Sequence, residues 1–497
     1  MNPSRRDAVL FLCGAELFII QFAMVRALSG ILAGTELVLL AVSASYFLGF
    51  SFGYHLCDRM SPGWFKALAF AQWATHLTLP FSLRWAAAWL AGSAQALVWL
   101  APALFVLGGV WISSFYSLLL PRLLSDLPEG GSREFARSYG MEIAGALAGM
   151  AVIFAAPRVH PAALMAAYQA GLACILGLLF PGRALWAAGA GACILYAGLF
   201  TRLERASVAA LSEAVRGIEV RSVLFSADTP YQRVEVLEDP GGGRHLYLDG
   251  IRHYGTDPLA DFNYFIAGLP ASLLKPARAV VVGSGSGESA RWALAGSAQV
   301  TTVELDPVVA AAGRELLSRP MPEEDASRWR LVEDDAKHFF GRLEGRVGLV
   351  VLDIAGPFQR QVALLYALEF FRLVRSRLEP GGAVSVSLNS DFSSRGGAAC
   401  RIVATLSEVF EDVLVVAPRG GTSYALAGDG LGFGKRETLA ALAQAGRTGV
   451  GVFDEADIQE HLRGRSYRKI SMSDMDIVLK VGLGTLGNRP RKRPGAS

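Results

Sequence analysis

The chain has 497 residues, of which 52% are hydrophobic and only 18% charged, and a formal net charge of +3 at neutral pH. Ordinary soluble proteins carry about a quarter charged residues, so a conventional soluble chain does not fit. The small net charge gives no case for nucleic acid as a partner. Five cysteines without C-x-x-C spacing and seven scattered histidines argue against a disulfide framework or a zinc site.

The apolar excess lies almost entirely before residue 201. Runs long enough to cross a bilayer, about 20 residues, occur near Ala8–Leu28, Leu37–Leu56, Phe65–Leu83, Leu97–Leu120, Met141–Ala156, Pro161–Phe180 and Ala184–Phe200. The third carries Gln72 and His76, and Trp85 to Ala96 reads as a re-entrant piece or a further short span. A cleaved signal peptide does not explain the first run, because further spans follow. Glu16, Arg26, Glu36 and Glu142 are ionisable residues in or beside these spans. Such residues are costly in hydrocarbon and point to function unless they snorkel at a span end.

From Glu219 the pattern changes. Ser222–Phe225, Gln232–Leu237 and Arg244–Leu248 read as strands of a small antiparallel β unit, with a turn at Asp239-Pro240-Gly241-Gly242-Gly243. Strand-like runs then alternate with helical periods. The strands are Ala279–Val282, Val300–Val303, Trp329–Val332, Leu349–Leu352, Ala383–Leu388, Val413–Val416 and Ser423–Leu426. The helices are Ser289–Ala295, Pro307–Leu317, Val362–Leu378 and Cys400–Val409. This alternation predicts a parallel sheet covered by helices on both faces, with a hairpin at its edge.

Three strand ends carry the chemistry. Val282 runs into Gly283-Ser284-Gly285-Ser286-Gly287-Glu288 and then a helix, a glycine turn that admits a ligand close to the backbone. Glu304 ends the next strand, about 20 residues on, where an acid accepts hydrogen bonds from both ribose hydroxyls. Asp334-Asp335-Ala336 closes the third, where a carboxylate can reach an adenine amine. Together they predict a nucleoside site at the carboxyl edge of the sheet.

From about Asp228 to Leu426 the chain resembles the membrane-fused branch of the spermidine synthase (polyamine aminopropyltransferase) family. The resemblance rests on Thr229-Pro230-Tyr231-Gln232-Arg233-Val234, His245-Leu246-Tyr247-Leu248-Asp249-Gly250, Val303-Glu304-Leu305-Asp306-Pro307, Asp335-Ala336 and Leu364 to Phe371. It implies an N-terminal α-helical transmembrane bundle and a C-terminal α/β Rossmann-like, class I methyltransferase-like domain with a small N-terminal β unit. The expected boundaries are 1–201 for the membrane domain, 215–430 for the catalytic domain and 431–497 for an extension. That extension ends in a basic tail, Arg489, Arg491, Lys492 and Arg493.

By the same resemblance, Gln232, Gly283, Gly285, Ser286, Glu304, Asp335 and Ala336 would bind S-adenosylmethionine or its decarboxylated form, without a metal. Asp353 would be the base that frees an amine nucleophile. The chain departs from the family pattern at three places. Gly356 stands where a second acid is usual, Ser286 replaces the acid of the glycine loop, and Asn263-Tyr264-Phe265 replaces Y-H-E. A polycation needs several carboxylates, so an altered acceptor site is expected.

The implied activity is transfer of an aminopropyl or aminocarboxypropyl group to a small-molecule amine. Its alternatives are a methyltransferase, a lyase, or a nucleoside-binding membrane sensor or transporter. The implied partners are the lipid bilayer and, for a homodimer, a second copy. Arg5, Arg6, Arg59, Lys66, Arg122, Arg133 and Arg137 fall on one side if spans alternate, and the positive-inside rule makes that side cytoplasmic. Seven strict spans would put the catalytic domain outside the inner membrane. Six or eight put it in the cytoplasm, where its nucleoside is made.

Overall fold

The computed structural model describes residues 2–478 except 33, 35, 58, 92–100, 125–131, 156–160, 256–259, 318–320, 358, 394–396 and 475. The basic tail expected at 489–493 and the end of the stretch from Trp85 to Ala96 lie outside the described residues. The described residues divide into two compact units, 2–241 with Leu248–Ile251, and Gly242–Tyr247 with 252–478.

The first unit is led by helices α1 (Pro3–Leu32), α2 (Glu36–Cys57), α3 (Pro62–Leu77), α4 (Phe81–Leu90), α5 (Ala101–Leu124), α6 (Ser132–Ala155), α7 (Pro161–Leu179) and α8 (Arg183–Leu211). α1 packs along α6 and α2 along α5. Small residues bring these backbones together: a Cβ on Gly145 would lie 1.8 Å from the Phe11 carbonyl oxygen. Such close approach is how helices associate where lipid supplies no hydrophobic drive.

Among the described residues, five helices are long and apolar enough to cross a membrane: Pro3–Leu32, Val38–Cys57, Ala103–Leu124, Pro161–Leu179 and Arg183–Arg216. One of the seven expected spans is corrected. Phe65–Leu83 divides into α3 and α4 at Leu79–Pro80, because Pro80 has no N–H to donate and disfavours helix at the residue before it. Met141 to Ala155 of the expected Met141–Ala156 lie on α6, with Glu142 the one charged residue among them. The last span does not stop near 201. α8 continues to Leu211 and is extended by a π-helical turn, Ser212–Arg216.

Polar residues on this extension are held by a buried ion network. Glu204 on α8 pairs with Arg84 of α4 at 2.5 Å and with Arg233. Arg233 also reaches Glu235 at 2.7 Å and Asp228 at 3.1 Å, and Arg216 reaches Glu235 at 2.6 Å. Strands β1 (Ser222–Asp228) and β2 (Arg233–Glu238), which carry three of these residues, pair antiparallel. Strands β3 (Arg244–Leu248) and β4 (Ile251–Gly255), the latter not expected, flank a turn with Asp249 and Gly250 at φ 47° and 77°.

The second unit is built on an eight-stranded sheet of β5 (Arg278–Gly283), β6 (Gln299–Glu304), β7 (Trp329–Glu333), β8 (Val347–Asp353), β9 (Leu378–Ser387), β10 (Asp412–Pro418), β11 (Tyr424–Gly428) and β12 (Val450–Phe453). The order is β12-β10-β11-β9-β8-β5-β6-β7. β9, β8, β5, β6 and β7 run parallel, and β11, β10 and β12 continue the edge antiparallel. The expected hairpin is β10–β11. The eighth strand comes from beyond residue 430, so the expected extension contributes to the sheet.

Alternate strand residues face opposite layers. Val280, Val282, Val350 and Leu352 pack with Phe340, Phe370, Phe371 and Val403 on one face. Val281, Leu349 and Val351 pack with Ile266, Leu269, Ala290 and Leu294 on the other. Apolar residues at every strand position are what a sheet buried on both faces requires.

Candidate active site

Four neighbouring parallel strands, in the order β8, β5, β6 and β7, end at Asp353, Gly283, Glu304 and Glu333, one residue before Asp334-Asp335. This edge is where open α/β sheets bind ligands. Gly283 lies opposite Asp353 in register, at φ 84°, and a Cβ there would meet the Asp353 carbonyl oxygen at 2.1 Å. The turn continues through Ser284 at φ 58° and Gly287 at φ 75° into the helix Glu288–Leu294. Ser284 is a non-glycine residue in left-handed geometry, a conformation retained where surrounding structure enforces it. Here its hydroxyl accepts the Ser289 N–H at 3.2 Å and also bonds Asp353.

Glu304 is buried. Its Oε1 accepts the Asp306 N–H at 3.0 Å, while Oε2 points toward the glycine turn, 3.2 Å from where a Gly285 Cβ would stand. Burial raises its pKa to about 7, assisted by the nearby Asp306 and Asp353 carboxylates and opposed by backbone N–H donors. Asp335 is exposed and caps the helix Ala336–Arg342, its Oδ1 accepting the His338 N–H at 3.1 Å. One of its oxygens therefore has a structural task. Ala336 is buried beside it, and Ser286 is buried in the glycine turn.

Asp353 is partly buried, and its pKa is raised by burial, with hydrogen bonds from Ser289 and Ser284 acting to lower it. The Ser289 hydroxyl lies 2.5 Å from Asp353 Oδ2 and 2.8 Å from the Asn263 side-chain amide. A hydroxyl has one proton to donate. The shorter contact takes it, and an Asn263 amide turned to present its NH₂ completes a chain running Asn263 to Ser289 to Asp353. Behind this, Tyr366 donates to the Ala355 carbonyl at 3.1 Å and accepts from Asn389 Nδ2 at 2.9 Å, pinning the loop that follows Asp353.

Curated relatives exist for this arrangement. The polyamine aminopropyltransferase of Sulfolobus acidocaldarius is 30% identical over 218 residues, covering 43% of this chain and 70% of that protein. The one from Nitrosomonas europaea is 30% identical over 245 residues, covering 46% and 74%. The chain belongs to the polyamine aminopropyltransferase family. It is accordingly an enzyme of that kind. No family model matches the chain. Among solved structures, a probable spermidine synthase from Corynebacterium glutamicum matches with a TM-score of 0.41 at 21% identity, covering 49% of this chain and 95% of that one. The spermidine synthase of Thermotoga maritima gives 0.39 at 18%, covering 54% and 89%.

Seven of the eight expected site residues of this aminopropyltransferase-family chain belong to the second unit, on or beside the edge just described. Gln232 belongs to the first unit. It closes a turn in which the Thr229 hydroxyl accepts the Gln232 N–H at 3.0 Å and the Tyr231 N–H at 3.2 Å. Ser289, Ser284 and Asn263 were not expected as site residues. The available signal was a serine in the first turn of the helix Glu288–Leu294, at a position buried against the sheet, where an apolar residue would otherwise stand.

Proposed function

We propose that this chain is a membrane-anchored transferase that moves an aminopropyl or aminocarboxypropyl group from decarboxylated or intact S-adenosylmethionine to a small-molecule amine. The amine lone pair attacks the CH₂ carbon bonded to the sulfonium. The C–S bond breaks, its electron pair stays on sulfur, and methylthioadenosine leaves. The proton lost by the amine goes to Asp353. The observation that carries the reading is this carboxylate at the end of β8, beside the glycine turn and held by Ser289 and Ser284. A raised pKa suits an acceptor of an ammonium proton better than an ordinary carboxylate does.

In this reading Glu304 accepts the ribose hydroxyls, and Asp335 and Ala336 border the adenine. Gly283 and Gly285 let the nucleoside approach the backbone. The names of the relatives support an amine acceptor. Gly356, Ser286 and Asn263-Tyr264-Phe265 carry none of the carboxylates that a polycation would need, which favours an acceptor of lower charge. The five apolar helices among the described residues support a membrane anchor; the catalytic unit is assigned to the cytoplasm because its nucleoside is made there, and a homodimer is the assembly.

Asp353→Asn tests the assignment. It keeps the shape and removes the basicity, so turnover should fall about 10²–10⁴-fold with methylthioadenosine affinity nearly intact. Persistent turnover would instead favour methyl transfer or a lyase reaction that does not use this base.

A further inference from the structure

The first unit holds a cavity that the transfer chemistry does not use. Its volume is about 290 Å³, and every residue lining it belongs to that unit. The walls are apolar, with Phe22, Ala23 and Ala27 of α1, Phe154 of α6, Met165 of α7 and Phe200 of α8. The floor is ionic, made by Arg84 of α4, Glu204 of α8, Asp228 of β1 and Arg233 of β2. Phe154 is 78% exposed, so the wall on α6 is reached from outside the helices. Apolar walls with a few placed polar groups are the usual build of a small-molecule site.

The floor is unevenly satisfied. Both Glu204 oxygens are engaged, Oε1 by Arg233 and Ser226 and Oε2 by Arg84. Arg233 directs Nε to Glu235, Nη1 to Asp228 and Nη2 to Glu204. Arg84 differs. Among the described residues its hydrogen bonds, to Glu204 and to Ser207 at 3.1 Å, both leave from Nη1. The N–H groups on its Nε and Nη2 remain for a ligand, although the side chain is only 2% exposed. A second guanidinium adjoins the cavity. Arg26 stands on α1 between Ala23 and Ala27, and its Nη2 donates to the carbonyl of Pro230, a lining residue, at 2.6 Å. Its Nε is buried without a hydrogen-bond partner, and among the described residues it meets no carboxylate. Arg26, Arg84 and Arg233 set against Glu204 and Asp228 leave one positive charge over. The neighbouring Arg216–Glu235 pair is balanced.

An uncompensated charge among apolar helices is strongly unfavourable and marks a site for an opposite charge. The free N–H groups ask for an acceptor, and the apolar walls ask for a hydrocarbon chain attached to it. We propose that this cavity binds a single-chain amphiphile with a carboxylate head, the carboxylate accepting from Arg84 and balancing Arg26, and the chain lying between α1, α6 and α7. A guanidinium takes a carboxylate through two parallel N–H bonds, and Nε with Nη2 forms one such pair. At about 30 Å³ for each non-hydrogen atom, the share of a water in the liquid, the volume holds roughly ten such atoms, enough for one short chain and its head. An amine head would face two arginines with both Glu204 oxygens already taken. An alcohol head would leave the surplus charge unmatched. The site is independent of the transfer chemistry.

The test is calorimetric titration of the full-length protein in phosphatidylcholine nanodiscs with octanoate, octanol and octylamine, after subtracting the same titrations into protein-free nanodiscs. Octanoate should bind saturably, with octanol and octylamine at least tenfold weaker, and saturating methylthioadenosine should not displace it. Arg26→Gln keeps an N–H for the Pro230 carbonyl and removes the charge, so it should weaken octanoate at least tenfold. Ala23→Phe fills the cavity without touching the ion network and should remove the binding. Variants are compared only where the helical melt matches wild type, and Arg26→Gln carries the test if Ala23→Phe does not fold. The proposal is overturned if octanoate shows no saturable binding above the protein-free nanodiscs, or if octanol or octylamine binds equally well. It is also overturned if methylthioadenosine displaces octanoate, which would place the carboxylate in the catalytic unit, or if folded Arg26→Gln and Ala23→Phe bind it as the wild type does.

Discussion

Lowering the pH from 8 to 6 should weaken nucleoside binding about tenfold, because Glu304 must be ionised to accept both ribose hydroxyls. Its pKa stands at about 7, raised chiefly by burial. A group of that pKa is about 91% ionised at pH 8 and about 9% at pH 6. If only the carboxylate form is competent, apparent affinity scales with that fraction, and the loss is about 1.4 kcal/mol. Stability of the fold runs the other way. With the folded pKa above the unfolded value of 4.5, the folded chain binds more protons between pH 4.5 and 7. Glu304 therefore contributes less stability as pH rises through that window. Calorimetry of methylthioadenosine at pH 6, 7, 8 and 9 reads the first effect, which should level off above pH 8, and Glu304→Gln should flatten the profile. A flat profile in the wild type, or affinity that falls with rising pH, would refute the role given to this carboxylate.

Ser289→Ala removes a hydrogen bond that lowers the Asp353 pKa, so the acid limb of the pH–rate profile should move to higher pH while Ser289→Thr restores it. An unshifted limb would make Ser289 a packing residue only. Glu204→Ala leaves Arg84 and Arg233 buried without their shared partner, and the protein should lose about 3–5 kcal/mol of stability. A loss below about 1 kcal/mol in denaturant titration would show that the network is not what holds the end of α8. Ser286→Asp should turn the enzyme against intact S-adenosylmethionine. Two like charges about 4 Å apart cost roughly 4 kcal/mol at an effective dielectric near 20, and the wild type, with a hydroxyl there, should bind the intact compound at least as well as the decarboxylated one. A wild-type preference for the decarboxylated form of more than about tenfold, 1.4 kcal/mol, contradicts this.

The catalytic unit was legible because its signals are local. Apolar runs such as Ala279–Val282 and Leu349–Leu352 identify strands, and the glycines at 283, 285 and 287 announce the turn that two positive φ values then require. β12 was missed because Val450–Phe453 is four residues long and includes a glycine. The third span was misjudged because hydropathy averages over Pro80, whereas the backbone breaks there. α8 seemed to end near 201 because Arg202 and Glu204 look like the water side of a span. Glu204 instead turns inward to two arginines, one of them 120 residues away. The support around Asp353 was not legible for a similar reason. Ser289 and Asn263 are 26 residues apart, and Ser289 and Asp353 are 64 apart, so only the closed sheet brings them together.

The transfer reaction itself is most directly tested by incubating the full-length protein, in membranes or nanodiscs, with decarboxylated or intact S-adenosylmethionine and a panel of mono- and diamines, and analysing the products by mass spectrometry. Group transfer predicts methylthioadenosine released in equal amount with an amine heavier by one aminopropyl or aminocarboxypropyl group, and neither product in Asp353→Asn. Adenosylhomocysteine as the nucleoside product, or methylthioadenosine released at the same rate without any amine, would contradict it.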